Sequence, residues 1–120
     1  MIDIKYRGFI NGKKNIFSLA NQGDIFHMFR IDNKFYTFSL EGNLMLIENL
    51  TQFTGLKDKN GVEVFDGDIV NNNIITRRIW VDDFHGYRFM FGSYTLCKAD
   101  VVNGEVIGNV FENPELLGKD

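Results

Sequence analysis

The sequence predicts an all-β protein, and three observations predict it. Asn-Gly pairs fall at Asn11-Gly12, Asn60-Gly61 and Asn103-Gly104, each between runs rich in apolar or β-branched residues. Both central residues of a type I′ hairpin turn need positive φ, which Asn and Gly tolerate best. Further turns fit at Asp32-Asn33, between HMFRI and KFYTF, and near His85-Gly86, between RRIWV and YRFMF. Where the apolar pattern is clean its period is two: Val62 and Val64 lie on one face against Glu63, and Phe89 and Phe91 share a face with Tyr87.

Taken in order, the N-terminal half reads as two hairpins, turning at Asn11-Gly12 and Asp32-Asn33. Residues 44–53 follow, where Leu44, Ile47, Leu50 and Phe53 also fit a helix face; β-strand is the preferred assignment. Lys57 to Val64 reads as strand, tight turn and strand, and Asp66-Gly67-Asp68 as a sharp bend before Ile69 and Val70. A fourth hairpin spans RRIWV and YRFMF, and a fifth turns at Asn103-Gly104. At the C-terminus Asn113 is placed to cap a helical turn running from Pro114 to Leu117, with Gly118 ending it.

The chain has 120 residues, enough for one folding unit or two small lobes sharing a core. Its hydrophobic content of 44% and its 12 Phe supply a core, whereas disordered chains are poor in aromatic residues. A net charge of -3 disfavours general attraction to nucleic-acid backbones or anionic membranes. One cysteine, Cys97, forms no internal disulfide, and the N-terminal stretch interrupts its apolar residues with Asp3, Lys5 and Arg7, unlike a signal peptide. With no segment near the roughly 20 apolar residues of a membrane span, the expected location is the cytoplasm.

Three segments, in order, resemble the YopX family of bacteriophage and prophage proteins. They are IKYRGFINGKK (Ile4 to Lys14), TGLKDKNGVEVFDGDIV (Thr54 to Val70, preceded by Gln52 and Phe53) and EVIGNVFENPELL (Glu105 to Leu117), with IWVDDFHGYRF (Ile79 to Phe89) as a weaker middle match. Ile10 and Asn11 depart from the acidic residue that often follows the family's opening. The resemblance implies a single domain over 1–120, with a family-like core at 51–117 and a divergent part at 15–50. It implies an SH3-like barrel or roll in the C-terminal part, added N-terminal β-structure, a bacterial host cell as setting, and no established enzyme chemistry.

The residues themselves assemble no catalytic or metal site. Counting Gly61 as the sixth position of a calcium loop puts Leu56 first and Gly67 twelfth, so the carboxylate anchors are missing. Asp66 and Asp68, or Asp82 and Asp83, read as turn residues whose side chains accept local backbone hydrogen bonds. His27, His85 and Cys97 are scattered with no ligand spacing, and no phosphate-cradling glycine loop is present. No catalytic residue, metal or cofactor is assigned.

Arg78, Trp80, Tyr87 and Arg88 interleave basic and aromatic residues over one hairpin and are the candidate binding residues. Alternation puts Arg78 and Trp80 on one face and Arg77 with Ile79 on the other. The expected function is a non-enzymatic phage accessory protein that binds a host or phage protein, to counter host defence or redirect host machinery. The alternatives are a nucleic-acid-binding SH3-like module, which the net charge disfavours, and a small enzyme with no recognisable motif. Self-association stays open, because edge strands can pair between copies.

Overall fold

The computed structural model describes residues 5–18, 28–39, 41–82 and 88–117. They form two antiparallel β-sheets, one short helix and a 3₁₀ turn. Contacts within the chain define two compact units, 1–52 and 53–120, and the boundary falls inside one long strand.

In the first unit, β1 (Lys5–Ile10) and β2 (Lys13–Ser18) form a hairpin, as do β3 (Phe29–Ile31) and β4 (Lys34–Phe38). Both turn residues have positive φ in each case: 51° and 78° at Asn11 and Gly12, 49° and 66° at Asp32 and Asn33. These are the type I′ signs, whose twist matches that of the flanking strands. The N-terminal part of β5 (Leu44–Lys57) lies between β1 and β4, giving the order β2-β1-β5-β4-β3. The stretch with helix-like spacing is therefore strand. Its apolar phase slips because one extra β5 residue is accommodated opposite Arg7 to Phe9, where Asn49 takes φ 52°. Gly8 faces this bulge, and a Cβ there would collide with the Ile47 side chain.

The second unit holds residues 53–57 of β5 paired with β6 (Glu63–Phe65), and a sheet ordered β10-β9-β8-β7-β11. Its strands are β7 (Asp68–Asn71), β8 (Thr76–Asp82), β9 (Arg88–Phe91), β10 (Tyr94–Thr95) and β11 (Glu105–Asn109). Val64, Val70, Ile79, Phe91 and Val101 form the buried core, with Leu56, Ile75, Phe89, Leu96 and Val106 packed around it. The expected barrel is not closed among the described residues, since the sheet ends at β10 on one side and β11 on the other.

Two expected hairpins take other forms. Asn60-Gly61 sits in a five-residue connection from Asp58 to Val62 in which only Gly61 has positive φ, and Val62 is exposed while Val64 is buried. Asn103-Gly104 ends a helix, α1 (Lys98–Val102), instead of turning a hairpin: Asn103 has φ -96°, and its N–H donates to Ala99. The Asp100 carboxylate accepts the Cys97 N–H at 3.0 Å and so closes the helix start. Gly104 is needed for space, since a Cβ would lie 2.5 Å from the Asp100 carbonyl and 3.0 Å from the Asn71 carbonyl. The C-terminal 3₁₀ turn covers Pro114–Leu117, with the Asn113 carbonyl accepting the Leu116 N–H at 3.1 Å. The turn at His85-Gly86, and Gly118, lie outside the described residues.

Candidate functional site

Strands β8 and β9 position the candidate binding residues. Their register pairs Trp80 with Met90 and Asp82 with Arg88, so these four side chains share a face with Arg78. The opposite face carries Ile79 and Phe91, both in the core. Alternation had separated Arg77 from Arg78, and the register does so: Arg77 pairs with Val70 and its stem packs where a Cβ on Gly92 would lie 2.8 Å from Cδ. Tyr87, the fourth candidate, lies outside the described residues, as do His27, Asp83 and His85.

The geometry holds this face in place. Trp80 is half-buried, with its indole Nε1–H donating to the Gly92 carbonyl at 2.6 Å, which fixes the ring. Arg88 is exposed; Nη1 donates to Thr95 Oγ1 at 2.9 Å and Nη2 lies 3.5 Å from Asp82 Oδ2. Arg78 is exposed. The result is an ordered aromatic plate beside one tethered and one solvent-facing guanidinium. Such a set can stack on an apolar or planar group and pair with a carboxylate at its rim. Sequence reasoning missed Gly92, Thr95 and Asp82 as the supports, because their roles depend on the β8-β9-β10 register.

The carboxylates of the family-like segment serve the fold. Asp58 Oδ1 accepts the N–H groups of Asn60 and Val62 at 2.8 and 2.9 Å, and Oδ2 accepts that of Val106 at 2.9 Å. Burial pushes its pKa up, but the three backbone donors and the Lys59 charge together hold it below the ordinary carboxylate value. A carboxylate saturated in this way stays ionised and is poorly suited to proton transfer. Asp68 is buried and accepts the Phe65 N–H at 2.8 Å, closing the bend at Gly67. Among the described residues no group of three His, Cys, Asp or Glu is gathered that could hold a metal ion. Among the described residues no helix is long and apolar enough to cross a membrane.

A different kind of surface appears in the first unit. Phe29, Ile31, Tyr36, Phe38, Leu44 and Leu46 share one sheet face, and an open groove of about 420 Å³ lies at its end, lined by residues including Lys34, Glu48 and Asn49. The alternation in MFRI and KFYTF carried a signal for it, but only the strand pairing reveals which face is left outward.

Comparison with known proteins agrees with the fold. A crystal structure of protein EF1440 from Enterococcus faecalis is similar to the chain, with a TM-score of 0.53 and 24% identity over 95% of this chain and 97% of that one. No curated protein matches the chain. The family model described as YopX protein matches residues 5–118, and the chain belongs to the YopX family.

Proposed function

We propose that this YopX-family chain is a non-enzymatic accessory protein of a phage or prophage. It acts in the cytoplasm of the bacterial host, binding a host or phage protein to redirect host machinery or counter a defence system. One observation carries the binding surface: Arg78, Trp80 and Arg88 share one ordered face of β8 and β9, with Trp80 held through its Nε1–H. Trp and Arg are the residue types that most often anchor interfaces, because each combines a large rigid contact area with directed polar groups. The family resemblance supports the biological setting. It also supports an SH3-like roll as the ancestry of the second unit, whose sheet would present this face.

The test is capture from host lysate with quantitative mass spectrometry, comparing wild type with Arg78→Glu and Trp80→Phe. Arg78→Glu reverses an exposed charge, and Trp80→Phe keeps much of the apolar packing. A partner of this face is enriched by wild type and falls about tenfold or more with Arg78→Glu. Equal enrichment by all three proteins, or no reproducible partner across relevant hosts, would remove this reading. A nucleic-acid partner would instead be revealed by a salt-dependent mobility shift abolished in the same variants.

A further inference from the structure

Among the described residues, one sheet face of the first unit carries large apolar side chains that stand exposed. The β3-β4-β5 register places Phe29, Ile31, Tyr36, Phe38, Leu44 and Leu46 together on that face. Phe29 stacks on Tyr36 and on Phe38, with ring centroids 6.0 and 5.3 Å apart. Ile31, Phe38, Leu44 and Leu46 are 50, 57, 54 and 38% exposed, whereas Thr37 and Ile47 on the opposite face are 7 and 3% exposed. Six large apolar side chains on three adjacent strands form a contiguous patch of the kind that marks a contact site.

The charges on this face repeat its geometry. One step beyond the Phe35–Ile47 pair, Lys34 on β4 and Glu48 on β5 stand at one end of the patch, both exposed, and both line the groove there. A twofold axis lying in the contact plane can superpose two copies of the face in few ways. An axis across the strands sets the charged end on the Phe38–Leu44 end, and an axis along β4 sets Lys34 on Lys34. An axis parallel to the strands and between β4 and β5 sets each Lys34 over Glu48 of the second copy, Tyr36 over Leu46, and Phe38 over Leu44. The charge pattern is self-complementary for that axis alone among the three, as an isologous interface requires.

We infer that this face binds a second copy of the chain, sheet face to sheet face, with reciprocal Lys34–Glu48 pairs at one end of a Phe38, Leu44, Tyr36 and Leu46 contact. Residues 1–52 hold six Lys and Arg against five Asp and Glu, so no strong net field opposes two copies meeting. Pairing through the β2 edge is disfavoured instead: Lys13 and Lys14 lie there, and Asn15 Nδ2 donates to the Lys13 carbonyl at 3.0 Å. Three strands spaced about 4.8 Å apart present less than the roughly 800 Å² per partner of a standard interface. The dimer is therefore of the weak, concentration-dependent class. It uses the first unit only, so it stands or falls separately from the Arg78–Trp80–Arg88 reading.

Sedimentation velocity of the full chain from about 10 µM to about 1 mM tests it. Wild type shifts from monomer to dimer across this range. Phe38→Asp removes the dimer while circular dichroism and melting at the lowest concentration stay as in wild type. Lys34→Glu and Glu48→Lys each weaken association about tenfold, and the double variant recovers it to within about threefold of wild type. A monomer throughout, a dimer indifferent to Phe38→Asp, or a double variant as weak as the single ones would overturn the inference.

Discussion

At Asp58 three backbone N–H groups converge on one buried carboxylate, and they come from both its own loop and β11. Replacing it by Ala leaves three donors unsatisfied, a loss of about 3 kcal/mol or more, which chemical denaturation at neutral pH would measure. The pH dependence follows from the lowered pKa. The contribution is fully present above the unfolded value of 3.8 and is lost as pH falls through the lower folded value. Asp58→Asn should therefore be weaker than wild type at pH 7, and the gap between them should narrow below about pH 4. Gly8 makes a different demand. Its Cβ would meet Ile47 at the β5 bulge, so Gly8→Ala should cost about 1–3 kcal/mol through overpacking, read as a lowered denaturation midpoint.

At the scale of elements, turns and bulges decide how the strands meet. Asn49 holds φ 52° inside β5, a conformation that Gly adopts without strain and a β-branched residue resists. Asn49→Gly should fold with stability near wild type, while Asn49→Val should lose about 1–2 kcal/mol; paired thermal melts would separate the two. The two type I′ hairpins were legible from Asn11-Gly12 and Asp32-Asn33 because the turn residues and the strand period are local properties. The helix at Lys98–Val102 was not legible. Asn103-Gly104 carries the same dipeptide, but Gly104 there answers a close approach to the Asp100 carbonyl of the helix just before it and, less tightly, to the Asn71 carbonyl, which is far away in sequence. The candidate face was legible in part: period-two alternation separated Arg78 and Trp80 from Arg77, whereas the anchoring of Trp80 by Gly92 needed the strand register.

For the whole molecule, two compact units carry two kinds of surface: a basic and aromatic face on β8 and β9, and an apolar face on β3, β4 and β5. The second predicts that stability rises with protein concentration, because a ligand that binds only the folded state raises its melting temperature by mass action, and here the ligand is the protein itself. The melting temperature of wild type should climb between about 10 µM and about 1 mM, and that of Phe38→Asp should stay flat; differential scanning calorimetry resolves the difference. What the sequence determined alone is whatever depends on neighbours along the chain: strands at Phe29–Ile31 and Lys34–Phe38, the sign of φ at their turn, and which of Arg77 and Arg78 sits beside Trp80. Only the tertiary structure decided that Asp58 reaches Val106, 48 positions on, that the sheet of the second unit ends at β10 and β11 without closing among the described residues, and that Phe38 and Leu44 face outward. The reason is physical. Backbone preference and alternation are set within a few residues, but burial of one sheet face over the other is set by which distant strands pack against it.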